Sequence, residues 1–188
     1  MEDFDGNLYP TVKIGDQWWI AENLRVSTNQ QGDQIARYCY QDDEANCLEF
    51  GGLYNWDTAM DGGHQEGAQG LCPDGWHIPS DADWMTLFET LGGVEVAAGL
   101  MKTTGTEVWA APNTGASNLS GFNGLPAGGG FSGAPYEGFG YGVHYWSSTE
   151  NGDKAGLPTL HFEGAEVLLL NESKELLISV RCVMDLQE

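Results

Sequence analysis

The alternation of apolar and polar residues predicts antiparallel strands at both ends of the chain. Residues 8–14 and 17–20 are rich in β-branched and aromatic residues, and the Gly-Asp pair between them signals a two-residue hairpin turn. In the last third of the chain, comparable runs predict four more strands, the middle two joined by a hairpin turn at residues 163–165. These four strands span residues 144–149, 159–162, 166–170 and 176–183.

Helical spacing of apolar residues predicts one clearly delimited helix in the middle of the chain, over residues 80–91. It begins at Ser80, which together with Asp83 resembles a capping box, and a pair of glycines stops it. Segments 94–102 and 53–60 are expected to form two shorter helices. We therefore do not expect long amphipathic helices to make up most of the secondary structure.

A long stretch without regular periodicity, residues 103–143, consists mainly of Gly, Asn, Ser and Pro with isolated aromatic residues. So long a connection inside a compact domain is usually functional or tied to the core. The composition agrees with a loop-rich fold, since the chain has 27 Gly, 7 each of Trp, Tyr and Phe, and only 19% charged residues. With 188 residues and 41% hydrophobic composition, we expect a single domain over residues 1–188.

The charge balance narrows the range of partners. The chain has 28 acidic and 7 basic residues and a formal net charge of −21 at pH 7, so nucleic acids and anionic membranes would be repelled. We therefore expect no nucleic-acid partner. No apolar run reaches the roughly 18 residues of a transmembrane helix, and the first residues lack the basic and apolar regions of a signal peptide. We expect any export signal or lipid anchor to precede residue 1.

The four cysteines indicate an oxidising, extracytoplasmic compartment. Cys39 and Cys47 bracket a short polar segment rich in turn-forming residues, which suits a local loop closed by one disulfide. Cys72 and Cys182 then remain to pair across most of the domain. Free buried thiols and a zinc site stay open as alternatives, although a zinc site would need clustered Cys and His residues.

Several multi-residue blocks occur in an order that points to one family. They are DFDGNLY (residues 3–9), TVKIG (11–15), QWWIAENLR (17–25), CPDGWHIPS (72–80), YWSST (145–149) and SVRCV (179–183). On these blocks the chain strongly resembles the Fibrobacter succinogenes major paralogous domain over nearly its whole length. The segment from Tyr38 to Cys47 also matches the family's short cysteine loop. The resemblance therefore implies the pairing Cys39–Cys47 and Cys72–Cys182.

This family is similar to C-type lectin-like domains and, more distantly, to formylglycine-generating enzymes. The resemblance implies an α+β fold with a twisted antiparallel sheet, a few short helices and a long irregular loop region. It also implies a secreted or bacterial outer-surface protein, with lipid anchoring through a preceding segment as one alternative. Because activity in the family is largely unknown, the resemblance informs fold and location more than function.

The calcium motifs of sugar-binding C-type lectins are incomplete in this chain. Those lectins use a Glu-Pro-Asn type motif and a Trp-Asn-Asp motif, and the nearest matches, residues 111–113 and 146–148, lack the carboxylates. Asp3, Asp5 and Asn7 are spaced like the first ligands of a calcium loop, but the glycine and bidentate glutamate of such a loop are out of register. An Asp-Gly turn is the better interpretation. We therefore expect neither calcium nor any other cofactor.

Catalytic motifs are also missing, so we predict a non-enzymatic protein. The sequence has no Gly-x-Ser-x-Gly elbow and no His-Glu-x-x-His motif, and the run Gly128-Gly129-Gly130 lacks the lysine of a phosphate-binding loop. A carboxylate pair for glycoside hydrolysis can be drawn from 28 acidic residues by chance, so a carbohydrate-active enzyme is kept only as an alternative. Arg181, one of few cations, is expected to find carboxylate or carbonyl partners, with a structural ion pair favoured over anion binding.

The long loop offers the best surface for recognition because it mixes rigid aromatic residues with adaptable amides. Our first hypothesis is a cell-surface binding or adhesion module that presents this loop to a glycan or surface protein; the alternative for each aromatic residue is burial in the core. The competing hypothesis is a structural domain of a surface or adhesin assembly, marked by an exposed apolar patch or an unpaired edge strand. The candidate ligand-binding residues are Trp109, Asn113, Asn118, Asn123, Phe131, Tyr136, Phe139, Tyr141 and His144.

Overall fold

The two ends of the chain meet in one small sheet. The computed structural model describes residues 1–185. Strands β1 (Thr11–Ile14) and β2 (Gln17–Ile20) form an antiparallel hairpin, which confirms the predicted two-residue turn. Strand β9 (Val183–Asp185) pairs antiparallel with the other edge of β2. The last described residues are therefore held against the first hairpin.

The helices are short, as expected from the sequence. Ser80 is the N-cap of the predicted central helix, and Ser80 and Asp83 exchange the two hydrogen bonds of a capping box. This helix and the one after it are confirmed, each to within a residue of its predicted bounds. In chain order the helices are α1 (Glu44–Phe50), α2 (Trp56–Met60), α3 (Asp81–Thr90) and α4 (Val94–Met101).

The first two helices differ from the prediction. The helix predicted over residues 53–60 begins only at Trp56, because Leu53 and Tyr54 form β-bridges to other segments of the chain. Helix α1 is not among the predicted helices, since the polar segment between the first two cysteines favours a loop. It begins after Asp43, whose carboxylate accepts a hydrogen bond from the backbone amide of Ala45 and caps the helix.

A second sheet is built around one long strand from the C-terminal third. This strand, β6, pairs with β4 and β5 along one edge and with β7 along the other, always antiparallel. Strands β3 and β8 form a separate short pair next to it. The bounds are β3 (Gly130–Phe131), β4 (Gly142–His144), β5 (Glu150–Asn151), β6 (Lys154–His161), β7 (Leu168–Ser173) and β8 (Leu176–Leu177).

Two of the predicted C-terminal strands are wrong in part. The strand predicted over residues 144–149 ends at His144, and the one predicted over 176–183 is interrupted after Leu177. In both places the chain stays largely buried and hydrogen-bonded, but its partners belong to several segments instead of one neighbouring strand. Alternating hydrophobicity reports burial, and it does not distinguish a regular ladder from such a series of single bridges.

Both predicted disulfides are present. Cys39 and Cys47 close the loop that contains the start of α1, and Cys72 is joined to Cys182 with a Cα separation of 5.8 Å. The second bridge links residues 110 positions apart, and it ties the segment before α3 to the residue before β9. In the chain-entropy model, the Cys72–Cys182 disulfide stabilises the fold more than the Cys39–Cys47 disulfide, because it closes a longer loop.

The buried hydrophobic residues form two clusters. One packs the aromatic face of α3, including Trp84 and Phe88, against Trp19 of β2 and residues of the long loop. The other surrounds Trp56 and Trp146. Short helices and small antiparallel sheets around these clusters make this an α+β fold, as predicted, whereas the likeness to C-type lectins stays a prediction. Within residues 1–185, no helix is long and apolar enough to cross a bilayer.

Candidate functional site

The long loop, residues 103–143, is anchored at its base by a buried lysine. Lys102 immediately follows α4 and its side chain is fully buried. The ammonium donates three hydrogen bonds to backbone carbonyl oxygens, those of Thr114 at 3.0 Å, His161 at 2.8 Å and Gly164 at 2.7 Å. All three donors of the ammonium are thus used. This one side chain joins the loop to the turn between β6 and β7.

A buried arginine anchors the loop at a second point. The guanidinium of Arg181 donates to the side-chain oxygen of Asn23 and to the carbonyl oxygens of Ile20 and Phe122, each at 2.7 Å. A further bond reaches the carbonyl oxygen of Asn123 at 3.0 Å. The expected carbonyl partners are therefore confirmed, whereas the favoured ion pair is wrong, because amide and carbonyl oxygens rather than a carboxylate satisfy this cation. Its role as a structural residue stands, since it ties the loop to the end of β2.

Four of the predicted ligand-binding residues shape the loop from inside. Trp109 is buried and its indole N–H donates to the carbonyl oxygen of Gly124. Asn113 is also buried, and its amide donates to two backbone carbonyl oxygens of the loop. Asn118 and Asn123 adopt left-handed backbone conformations and are joined by a bond from the Asn123 backbone amide to the Asn118 side chain. These side chains make contacts within the protein, although the buried Oδ1 atom of Asn113 accepts no hydrogen bond from the described residues.

Two of the predicted aromatic residues connect the loop to the first disulfide. The Tyr136 hydroxyl donates to Asp42 at 2.8 Å, and its ring lies 5.4 Å from that of Tyr40. Phe139 packs between Tyr40 and Phe50, with ring centroids 4.6 Å from each. Residues 136–139 of the long loop are thereby held against the segment that the Cys39–Cys47 bridge closes.

Tyr141 and Phe131 are the exposed aromatic residues of the predicted set. Tyr141 is 57% exposed and contacts Phe162 edge to face, on the side of the loop that faces β6. Phe131, in β3, is 47% exposed and lies at the rim of a pocket. Of the two, only Phe131 combines exposure with a concave neighbourhood.

The pocket beside Phe131 is the best candidate for a functional site. It has a volume of about 380 Å³ and lies between β3, the end of β4 and β8. Volumes of a few hundred Å³ with mainly apolar walls are typical of small-molecule sites. The lining residues are Gly129, Gly130, Phe131, Ala134, Pro135, Glu137, Gly138, His144 and Leu176.

The three consecutive glycines make this pocket possible. Gly128 has a φ of +64°, and a Cβ atom there would lie 2.4 Å from the carbonyl oxygen of Glu137. The backbones of Gly129 and Glu137 exchange two hydrogen bonds of 2.9 and 2.8 Å. The glycine run therefore allows two segments of the loop to approach each other closely. Backbone rather than side chains forms much of the pocket wall at this point.

The polar side chains of the pocket are His144 and Glu137. One ring nitrogen of His144, Nδ1, is hydrogen-bonded to the hydroxyl of Thr159 at 2.7 Å. Burial lowers the pKa of His144, so the imidazole is neutral at pH 7. Of the lining residues, Glu137 is then the one that carries a formal charge. The pocket wall therefore offers hydrogen bonds and one negative charge.

Part of this pocket was missed by sequence reasoning. His144 and Phe131 were among the candidates, but Ala134, Glu137 and Leu176 were not. Leu176 comes from a strand that is distant in sequence, and Glu137 is one carboxylate among 28 acidic residues. No local pattern distinguishes it, because it reaches the pocket only through the backbone pairing with Gly129.

Polar clusters elsewhere have structural explanations. Cys39, Glu44 and Cys47 lie close enough together to suggest metal ligands, but both sulfurs belong to a disulfide and have no thiolate to offer. The carboxylate of Asp3 accepts hydrogen bonds from the backbone amides of Asp5 and Asn7, as expected for a turn. These groups form part of the fold rather than a second site.

The comparison with known families identifies the family of this chain. The family model of the Fibrobacter succinogenes major domain matches residues 12–184, and the chain belongs to that family. No curated protein and no solved structure matches the chain. The resemblance inferred from the sequence blocks is thus confirmed.

Proposed function

We propose that this member of the Fibrobacter succinogenes major domain family is a non-enzymatic, extracytoplasmic binding module that holds a neutral sugar unit of a glycan in the pocket beside Phe131. The observation that carries the proposal is the pocket itself, about 380 Å³ of concave space between β3, the end of β4 and β8. Mainly apolar walls with a few polar groups are what a small ligand needs. Two disulfides are compatible with a location outside the cytoplasm.

The charges around the pocket favour a neutral ligand. Glu137 contributes a negative charge, His144 is neutral at pH 7, and the chain as a whole carries a formal charge of −21. An anionic group such as a sialic acid or a phosphate would meet repulsion without a compensating cation in the pocket wall. A neutral sugar avoids this penalty and can donate its hydroxyl hydrogens to Glu137.

The pocket also supplies a surface on which a sugar ring can rest. Phe131 is 47% exposed at the rim, and the apolar face of a sugar ring can pack on such a side chain. Next to it, Gly129, Gly130 and Gly138 line the pocket without side chains, so a sugar ring can approach the backbone closely. An apolar platform flanked by peptide groups suits a ligand that has one apolar face and many hydroxyl groups.

Several features favour binding without catalysis. Hydrolysis of a glycosidic bond by the usual route needs two carboxyl groups that flank the bond. The lining of the pocket provides one, that of Glu137. His144 is hydrogen-bonded through Nδ1 to Thr159, a buried residue of β6 that pairs with both β4 and β7. The hydroxyl of Thr159 is not placed to attack a ligand in the pocket.

A glycan array tests the proposal, with the wild type and two tryptophan variants probed in calcium and in EDTA. Ala134→Trp places a large ring in the pocket, because Ala134 lines it. Leu119→Trp is the matched control, since Leu119 is 81% exposed in the same loop and does not line the pocket. We expect wild type and control to bind neutral glycans equally in both buffers, and Ala134→Trp to bind at least about tenfold more weakly, a difference of roughly 1.4 kcal/mol. Absence of neutral-glycan binding, or equal binding by Ala134→Trp, would refute the proposal.

A second candidate function is supported by a different part of the surface. Strand β7 is exposed along its length and contains the sequence Leu168-Leu169-Leu170. Exposed apolar side chains on an edge strand are typical of surfaces that pair with another chain. This observation favours a role as a structural domain in a surface assembly, which is compatible with ligand binding at the pocket.

A further inference from the structure

We infer that β7 is the docking edge for an extended, basic segment of another protein, which adds to the sheet as a strand and inserts a lysine or arginine side chain beside α3. This inference rests on the second candidate function, for which it names the partner, and it is independent of the pocket beside Phe131. Strand β7 pairs with β6 on one side, and among residues 1–185 no strand covers its other side. Addition of a partner strand to such an edge is a recurring mode of peptide recognition.

The outward backbone groups of β7 are identified by the residues opposite them on β6. Leu169 lies opposite Pro158, which has no N–H and whose carbonyl oxygen accepts from Tyr145 on the far side of β6. Asn171 lies opposite Gly156, which likewise bonds away from β7. In an antiparallel ladder, such pairs turn the peptide groups of the outer strand to its free edge. The peptide groups of Leu169 and Asn171 therefore point away from β6.

Most of these outward groups have no partner within the described part of the chain. The carbonyl oxygen of Asn171 accepts a long hydrogen bond of 3.5 Å from the exposed Lys154 side chain. The N–H and C=O of Leu169 and the N–H of Asn171 stay available for a docked strand. Proteins usually protect a free edge with charges, prolines or a covering segment. This edge instead carries the half-exposed side chains of residues 168–170, all leucine, which favours its occupation.

A hollow beside the edge has room for one side chain of a docked segment. Its volume is about 110 Å³, and it lies between α3, β6 and β7. Trp84, Leu157 and Leu169 contribute apolar walls, and Asp81 is the one carboxylate among the lining residues. Small-molecule sites usually measure about 300–1,000 Å³, so this hollow suits a single side chain better than a free ligand.

The geometry of the sheet directs a long side chain from the docked strand to Asp81. Residues opposite each other on neighbouring strands share one face, so a partner residue facing Asn171 lies in one row with Asn171 and Gly156. The Asp81 carboxylate covers the inner end of this row, because a Cβ atom on Gly156 would lie 2.5 Å from its Oδ1 atom. Strands are about 4.8 Å apart, so the partner residue is roughly 10 Å from Gly156. A lysine or arginine spans such a gap with an apolar stem and a cationic end.

The charges around β7 favour a basic segment. Glu166 precedes the strand, and Asp153 and Glu175 lie in the turns at its other end. Neither these three carboxylates nor that of Asp81 has a Lys or Arg partner within 4.0 Å among residues 1–185. The two lysines near the strand are already paired with other glutamates. A cationic segment is therefore attracted along the whole edge, and an acidic one is repelled.

The scarcity of cations in this chain selects a different protein as the partner. All seven Lys and Arg residues lie within the described range. Lys102 and Arg181 are buried against oxygen acceptors, and four others form ion pairs with glutamates, which leaves Lys13 on β1. A second copy would bring one available lysine and a formal charge of −21 to the edge. A basic segment of another chain meets no such repulsion.

Calorimetric titration of short peptides into the intact protein, in about 0.15 M salt, tests the inference. The probe is a peptide of alternating valine and lysine with blocked ends, which as a strand presents its lysines on one face. We expect it to bind with a Kd on the order of 100 µM. The same peptide with glutamine in place of lysine should bind at least about tenfold more weakly. A copy with N-methylated amides keeps the charge but cannot pair as a strand, and it should be equally weak.

Four variants, each of which makes the net charge less negative by one, separate the edge from general charge attraction. Asp81→Asn removes the carboxylate of the hollow, and Asp16→Asn in the exposed turn between β1 and β2 is its control. Leu169→Lys places a cation on the edge, and Leu119→Lys, at a residue that is 81% exposed in the long loop, is its control. Relative to these controls, we expect the lysine peptide to bind at least about threefold more weakly to Asp81→Asn and about tenfold more weakly to Leu169→Lys.

Amide exchange locates the contact, since the bound peptide should slow exchange of the Leu169 and Asn171 amides. No binding of the lysine peptide, equal binding of its N-methylated copy, or equal affinity for Asp81→Asn and Asp16→Asn would each overturn the inference. Equal binding of the lysine and glutamine peptides, lost for both in Leu169→Lys, would keep β7 as an assembly edge and refute only its basic partner. Sedimentation of the wild type as a dimer that Leu169→Lys dissociates would assign the edge to a second copy and refute that partner too. A monomeric wild type that binds none of the peptides would refute the second candidate function as well.

Discussion

Lys102 offers the sharpest test of how the long loop is held. Replacing it by methionine keeps the apolar stem of the side chain and removes the ammonium. The carbonyl oxygens of Thr114, His161 and Gly164 then lose their donor inside the protein. Hydrogen bonds to a charged group contribute about 1.5–3 kcal/mol each, so the three together amount to roughly 5–9 kcal/mol.

The removal of a buried charge acts in the opposite direction, because Lys102→Met no longer bears the free-energy cost of burying the ammonium. Burial lowers the pKa of Lys102 from 10.5 to about 8. A shift of this size corresponds to a penalty of about 3 kcal/mol for the charged form. The difference predicts that Lys102→Met is less stable than the wild type at pH 7 by roughly 2–6 kcal/mol. Lys13→Met on the exposed face of β1 is the control, with an expected change below about 0.5 kcal/mol.

The same residue predicts a pH dependence whose sign can be worked out. Because the pKa of Lys102 in the folded state is about 8 rather than 10.5, the unfolded chain binds more protons between these values. This difference in proton binding therefore increases the free energy of unfolding of the wild type as pH rises from about 8 to 10.5. Lys102→Met lacks it, so the stability gap between the two proteins widens. The comparison cancels the opposite effect of Tyr9 and Tyr54, whose pKa values burial raises in both proteins.

Urea unfolding followed by tryptophan fluorescence measures both effects, at pH 7 and at several values up to about pH 10. Hydrogen exchange of residues 103–143 reports in parallel whether the loop base opens in the variant. A stability loss of less than about 1 kcal/mol in Lys102→Met, or a gap that stays constant from pH 8 to pH 10, would refute the view that this buried ammonium holds the loop.

Two further predictions concern the disulfides and His144. Replacing Cys72 and Cys182 by alanine should destabilise the protein by about 4–5 kcal/mol, and replacing Cys39 and Cys47 by about 2–3 kcal/mol; equal losses in urea unfolding would contradict the loop-closure argument. Burial lowers the pKa of His144, so the unfolded chain binds more protons as pH falls below 6.5 and the wild type loses stability there. His144→Gln should show a smaller loss between pH 6.5 and about pH 4, and an unchanged slope would show that this imidazole is not responsible.

Features that depend on neighbouring residues could be predicted from the sequence. The hairpin at residues 11–20 and helix α3 follow from a turn signal and from a capping box, both of which act within a few residues. Helix α1 has a comparable local cap at Asp43. The cysteine spacing instead favours a loop, although a short helix and a disulfide fit the same segment.

Features that depend on distant residues could not be predicted. The partners of Lys102 and Arg181 are mostly backbone carbonyl oxygens, and a sequence gives no sign of which carbonyl a buried cation will reach. The pocket has the same difficulty, because Leu176 and Glu137 meet only after β3 and β8 have paired. Candidate residues chosen by type alone therefore included Trp109 and Asn113, which the fold uses internally.

Hydrogen exchange of the protein with and without a saturating neutral glycan, the best binder from the array, tests the central claim most directly, because it reports where the ligand sits. We expect exchange to slow in residues 129–138 and around His144, with little change along β7. Protection that falls on other segments and leaves residues 129–138 unchanged would contradict the assignment of the pocket beside Phe131 as the ligand site.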